Sequence, residues 1–139
     1  MDFSMNMKSR AYLLYAEDDP DDVLFLRDML QFSDKKHSLH AVGDGFEVIR
    51  FLQEIKPGDP YPSLIILDIH MPKLNGIEVL KLLKTDDLYR MIPVLVFSNN
   101  IDDEHIATCR RLDTDLIEKP LYYTNWAPVI RKMQDYFDE

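Results

Sequence analysis

The residues that could carry chemistry are acids, one hydroxyl and one lysine, each placed just after an apolar run. Glu17, Asp18 and Asp19 follow Ala11-Tyr-Leu-Leu-Tyr-Ala16, and Asp68 follows Leu64-Ile-Ile-Leu67. Ser98 follows Pro93-Val-Leu-Val-Phe97, and Lys119-Pro120 lies just past Asp115-Leu-Ile117. If these positions share one rim, the acids need a counter-charge. Two carboxylates about 4 Å apart repel by about 4 kcal/mol at an effective dielectric of about 20. Either one holds a proton or a cation lies between them. An all-oxygen set suits a hard divalent ion, Mg²⁺ first and Mn²⁺ or Ca²⁺ next, and no Cys/His set for zinc is present. Mg²⁺ commonly takes one or two carboxylates, some waters and a phosphate oxygen, which points to phosphoryl chemistry. Asp68 is then a nucleophile that forms an acyl phosphate. The metal and Lys119 neutralise charge on the transferring group, and Ser98 offers a hydrogen bond to a phosphoryl oxygen.

What must position these residues is a βα unit repeated five times. The apolar run ending at Ala16 reads as a buried strand. Asp19-Pro20-Asp21-Asp22 opens a helix, with Val23, Leu26 and Leu30 recurring at helical spacing. Ser38 to Val42 is a short second strand. Asp44-Gly45 starts a second helix, with Val48, Phe51, Leu52 and Ile55 on its inner side. After a loop with three prolines, Leu64 to Leu67 is the most apolar strand and the expected centre of the sheet. Helices are expected over Gly76 to about Lys84, Asp102 to Leu112, and Thr124 to Phe137. The last has Trp126, Val129, Ile130, Met133 and Phe137 on one face. Strands four and five are expected over Pro93 to Phe97 and Asp115 to Ile117. Strands alternating with helices imply a parallel sheet covered on both faces, a doubly wound three-layer α/β fold. In such sheets ligands sit beyond the carboxyl ends of the strands, where strand order reverses. That is where the acids, Ser98 and Lys119 fall.

Bulk properties narrow the function. A chain of 139 residues fits one domain, and a formal net charge of −9 disfavours direct binding to nucleic acid. No apolar run approaches the roughly 20 residues that span a bilayer, and Met1 to Arg10 lacks the apolar core of a signal peptide. The single cysteine, Cys109, cannot form an internal disulfide, which suits a reducing cytoplasm.

Four segments together resemble the receiver domain of two-component response regulators, over about residues 10–137. Tyr12 to Pro20 is similar to that family's first strand and acidic pocket, and Leu64 to Pro72 with Asn75-Gly76 to its phosphorylation loop. Val94 to Ser98 is similar to the fourth strand and switch hydroxyl, and Ile117 to Pro120 to the lysine–proline turn. The resemblance implies a flavodoxin-like five-stranded parallel sheet of order 2-1-3-4-5, with residues 1–9 as a tail and 10–139 as the receiver. It implies that Asp68 is phosphorylated in a Mg²⁺-dependent reaction, Mn²⁺ being able to substitute. Asp18, Asp68 and the backbone carbonyl of His70 would bind the ion, with Glu17 acting largely through water. Lys119 would pair with Asp68 or its phosphate, Ser98 would turn inward to it, and the Lys119–Pro120 bond is often cis in the family. The implied partners are a sensor histidine kinase or phosphotransfer protein and a downstream target. A homodimer through the fourth helix, fifth strand and last helix is a further implied partner. With no output domain expected after Glu139, the chain is read as a stand-alone cytoplasmic regulator. Its expected chemistry is self-phosphotransfer and autodephosphorylation only.

This sequence departs from the family pattern at several points. Leu116 stands where most receivers carry an aromatic switch residue, and Asn99 where a small residue is usual. Leu112-Asp113 replaces a small pair, and His70 and Asn100 occupy the positions that tune dephosphorylation. Taken singly, several residues have ordinary readings. Asp19 is a cap or first-turn acid and is left out of the metal set. His37, His40 and His105 are surface groups, Cys109 is a small helix residue, and Tyr122, Tyr123 and Trp126 are core or rim aromatics. Three rival functions remain. A dehalogenase-type phosphohydrolase would want an acid at position 70, and a flavodoxin-like cofactor binder would want a Ser/Thr/Gly-rich loop after the first strand. A degenerate receiver would keep the fold and lose the phosphorylation.

Overall fold

Five short parallel strands organise the chain, the three central ones buried and the two edge strands partly exposed. The computed structural model describes residues 12–32 and 37–136. In chain order the elements are β1 (Tyr12–Ala16), α1 (Pro20–Gln31), β2 (Ser38–Val42), α2 (Gly45–Gln53) and β3 (Leu64–Leu67). There follow α3 (Gly76–Thr85), β4 (Val94–Ser98), α4 (Asp103–Arg111), β5 (Asp115–Glu118) and α5 (Ala127–Asp135). Short 3₁₀ turns occupy Tyr89–Met91 and Tyr123–Asn125. The sheet order is β2-β1-β3-β4-β5, every pair parallel, as the alternation and the resemblance imply.

Successive residues of each strand point to opposite faces, and the core divides accordingly. Leu14, Ala16, Ile65, Leu67, Val94 and Val96 pack with Val48, Leu52, Leu80, Leu83 and Cys109, from α2, α3 and α4. Leu13, Tyr15, Leu64, Ile66, Leu95 and Phe97 pack with Leu26 and Leu30 of α1, and with Trp126, Ile130 and Met133 at α5. Cys109 is a buried thiol of the first layer, as its ordinary reading requires.

Helix starts follow local chemistry. Asp19 caps α1 by accepting from the Asp21 N–H at 2.9 Å, with Pro20 at the first helical position. Asp44 caps α2, and Asn75 and Asp102 cap α3 and α4 through reciprocal bonds with Glu78 and His105. The last helix starts later than the apolar spacing predicts. Tyr123–Asn125 form a 3₁₀ turn first, and α5 begins at Ala127 with a proline, Pro128, in its first turn. Phe137 and the 1–9 tail lie outside the described residues. Strand β4 runs one residue further than expected, because Ser98 pairs with Glu118 while Pro93 offers only its carbonyl, to Ile65. No cis peptide occurs among the described residues, so Lys119–Pro120 is trans, unlike the frequent family form.

Register places the chemistry. Ala16 pairs with Leu67, so Glu17, Asp18 and Asp68 emerge side by side from the ends of β1 and β3. The Asp68 N–H donates to the Ala16 carbonyl at 3.0 Å, and the Lys119 N–H to the Ser98 carbonyl at 2.9 Å. Strand order reverses between β1 and β3, the expected ligand position in an open α/β sheet.

Candidate functional site

Asp68 is nearly buried, and its two oxygens have different company. Oδ1 accepts from the Ser98 hydroxyl and from the His70 N–H at 3.2 Å. Oδ2 faces the Lys119 ammonium at 3.4 Å, long for a strong hydrogen bond. Ser98 also accepts from the Ile69 N–H at 3.2 Å, so the hydroxyl is tied to the strand end and already points at Asp68. No inward rotation of Ser98 is needed, in contrast to the swing the resemblance implies. Gly76 lets α3 reach this loop. A β-carbon there would collide with the Asp68 carbonyl, so only glycine permits the helix to start against the acid's own backbone.

Lys119, held at the end of β5, is the cation of the site. It bonds Glu17 Oε1, Asp22 Oδ2 at 2.8 Å and, more distantly, Asp68. Burial pulls its pKa down, but the hydrogen bonds to Asp22 and Glu17 and the charge of Asp68 outweigh that, so it is raised and stays an ammonium. Glu17 is pushed up to about 8, first by burial and then by the charge of Asp68, against the bond from Lys119. Its second oxygen accepts the Asp19 N–H at 3.1 Å. The Tyr15 phenol is raised by burial and by Glu17, Asp22 and Asp68, and keeps its proton.

Glu17, Asp18 and Asp68 each bring a carboxylate oxygen to within 4.8 Å of the others. Together with Asp22 and Lys119 they leave a formal surplus of negative charge that calls for a cation. The donors are all hard oxygens, and Asp18 is exposed, so the cluster fits a hydrated divalent ion such as Mg²⁺ or Mn²⁺. Both Glu17 oxygens already accept hydrogen bonds, Oε1 from Lys119 and Oε2 from the Asp19 N–H. Among the described residues, no histidine joins this cluster. The His70 ring instead meets the Asn100 carbonyl and packs 6.0 Å from the His105 ring.

Residues 13–125 match the response regulator receiver domain family. The chain belongs to that family. It is a receiver domain of two-component signalling. It is 36% identical over 95 residues to the response regulator Rcp1 of Synechocystis, 66% of this chain and 65% of that protein. The match therefore spans just under two thirds of Rcp1. It is 31% identical over 97 residues to the polar-differentiation response regulator DivK of Brucella anthropi, covering 68% and 73% of the two chains. Among solved structures it resembles the phosphorylated cyanobacterial phytochrome response regulator RcpA, with TM-score 0.82, 26% identity and coverage of 92% and 94%. The Mn²⁺-bound form of Rcp1 is equally similar, with TM-score 0.82, 25% identity and coverage of 93% and 95%. No described helix is long and apolar enough to cross a membrane.

Glu17, Asp18, Asp68, Ser98 and Lys119 meet at one rim, and the His70 N–H reaches Asp68 from the loop after β3. Asp19 is a cap, as expected. The residue that sequence reading missed is Asp22. It is buried, bonds Lys119, and accepts the Tyr123 phenol at 2.8 Å. Its signal was present: Asp22, Leu26 and Leu30 stand four apart on one helix stripe, which put an acid on the buried face. A cleft of about 670 Å³ opens beside it, lined by Asp22, Asn99, Asn100, Lys119, Leu121 and Tyr123 among others.

Proposed function

We propose that this receiver is a phosphorelay switch in which Asp68 takes a phosphoryl group from a phosphohistidine donor and thereby alters what a downstream protein binds. The observation that supports this best is the unequal engagement of Asp68. Oδ1 is held by Ser98 and the His70 N–H, while Oδ2 keeps free lone-pair capacity beside an ammonium 3.4 Å away. An Asp68 oxygen forms the new bond to phosphorus, the donor's phosphorus–nitrogen bond breaks, and the imidazole leaves with that electron pair. Lys119 and Ser98 supply a charge and a donor for the phosphoryl oxygens. Asp18, Asp68 and the backbone carbonyl of His70 would hold Mg²⁺ or Mn²⁺, with Glu17 acting through water. The bound ion supplies charge neutralisation at the transferring group.

The donor is a sensor histidine kinase or a phosphotransfer protein. RcpA is a phytochrome response regulator, so a phytochrome-type kinase is the first donor to test. By family likeness, a target or a second copy meets the surface of α4, β5 and α5. A phosphohydrolase would need an acid at position 70, where the imidazole of His70 is bonded to Asn100 instead.

The test is intact mass after acetyl phosphate and Mg²⁺. Wild type should gain one phosphoryl group, and Asp68→Asn or wild type in EDTA should gain none. No gain in wild type, or an equal gain in Asp68→Asn, overturns the reading.

A further inference from the structure

Asp22 has no part in the phosphoryl chemistry set out above, yet it is among the most tightly engaged side chains of the site. One oxygen accepts Lys119 at 2.8 Å and the other accepts the Tyr123 phenol at 2.8 Å. A single carboxylate on α1 therefore holds both the pocket's cation and the turn that follows β5. Lys119 lies closer to Asp22 than to Asp68. The Tyr123 ring stacks on Phe25 of α1 with centroids 4.3 Å apart, and meets Trp126 edge-on at 5.3 Å. The same turn carries Leu121 and Tyr122, which are 86% and 64% exposed. Any displacement of Tyr123 is thus displayed at the surface.

The route usual in the family lacks its parts here. Ser98 already faces Asp68, and Leu116 stands where an aromatic switch residue is usual. Leu116 is half-buried, packed on the α2–α4 layer.

We propose that Asp22 and Tyr123 carry the state of Asp68 to the surface, with Lys119 as the moving part. This rests on Asp68 being the phosphoacceptor. A phosphoryl group on Asp68 adds negative charge to a side chain whose Oδ2 already faces the Lys119 ammonium at 3.4 Å. Lys119 is drawn toward it, Asp22 is left with Tyr123 as its remaining side-chain donor among the bonds described, and the Tyr123 turn resets against α1. Asp22 and Tyr123 are positioning residues: they act through Lys119 and never touch the phosphoryl group.

Trp126 is the only tryptophan and touches Tyr123, so its fluorescence reads the turn directly. Emission and intact mass are followed together on adding acetyl phosphate and Mg²⁺ to the full chain. Wild type should change emission in step with its mass gain. Tyr123→Phe removes the bond to Asp22 and keeps the ring; it should gain the same mass with the emission change reduced at least severalfold. Asp22→Asn still accepts from Tyr123 but drops the charge that holds Lys119. Its emission before any phosphoryl donor should already be shifted in the direction wild type takes on phosphorylation. A full emission change in Tyr123→Phe, or an unshifted starting emission in Asp22→Asn, overturns the relay. So does a wild-type mass gain with constant emission. Absence of mass gain in wild type overturns the phosphoacceptor reading instead, and the relay with it.

Discussion

The His70 imidazole donates through Nε2 to the backbone carbonyl of Asn100, 3.2 Å away. A carbonyl only accepts, so the ring must carry its proton on Nε2. The bond ties the loop after β3 to the loop after β4. Asn100 adopts a left-handed backbone, with φ 51°, to present that carbonyl, a conformation asparagine tolerates better than most residues.

A tether between these loops is expected to limit the access of water to Asp68. A neutral hydrogen bond is worth about 0.5–1.5 kcal/mol net, or roughly 2- to 10-fold in a rate it gates. His70→Ala should therefore speed hydrolysis of the Asp68 acyl phosphate by about that factor. Decay of the phosphorylated mass after donor removal measures it. An unchanged or slower decay excludes the tether as a gate.

Glu17 should make divalent-ion binding and stability depend on pH in opposite senses. Its pKa in the folded, metal-free protein is raised from 4.5 to about 8, by burial first. Between those values the folded state binds more protons than the unfolded chain. That contribution to stability is fully present below the unfolded pKa and is lost as pH rises through about 8. A divalent ion prefers the ionised carboxylate, so ion affinity should rise over the same window and binding should release a proton. The unfolding midpoint in EDTA should fall between about pH 5 and pH 8, and Mg²⁺ should reverse the fall. Glu17→Gln should flatten the EDTA curve. An identical slope in that variant would place the titration elsewhere.

What could be read from the chain, and what could not, follows from how each feature is encoded. Strands β2 and β3 have the boundaries their composition predicts, because apolar runs bounded by polar residues leave little choice. The start of α5 was misplaced because the residues just before Trp126, Tyr123–Asn125, form a 3₁₀ turn, which sequence alone does not separate from the first turn of a helix. Asp22 was hidden in a run of acids where a helix start commonly carries them. The preference of Lys119 for Asp22 over Asp68 depends on differences of a fraction of an ångström between side chains of three strand ends and a helix. No motif records that.

Gly76 should be irreplaceable for a steric reason. A β-carbon there meets the Asp68 carbonyl and the Ile69 backbone, neither of which can rotate away. Gly76→Ala should lower the unfolding free energy by about 1–3 kcal/mol, the usual cost of overpacking, and should slow phosphorylation by displacing Asp68. Gly43 provides the comparison, since a β-carbon there meets only Glu47 Oε2 at 3.9 Å. Urea unfolding of Gly76→Ala and Gly43→Ala separates the two. Equal losses would show that close approach at Gly76 is not the constraint.

One oxygen of Ser98 serves two hydrogen bonds, one to the backbone and one to the acid. Its Oγ accepts the Ile69 N–H while its proton goes to Asp68 Oδ1. Ser98→Ala leaves a buried N–H and a carboxylate oxygen each short of a partner, at a cost of about 1–3 kcal/mol for an unsatisfied buried group. Ser98→Thr keeps the hydroxyl and adds a methyl to a fully buried site. If the hydroxyl matters only for folding, both variants should phosphorylate at rates that follow their stability. If it also stabilises charge on the phosphoryl oxygens, Ser98→Ala should lose roughly tenfold or more in phosphorylation rate under conditions where it is fully folded, and Ser98→Thr should keep most of it. Phosphorylation rates measured well below each variant's unfolding midpoint decide between the two. The hydrogen bond to Oδ1 supports the second outcome, because a donor already aimed at the acid needs no reorganisation when charge develops there.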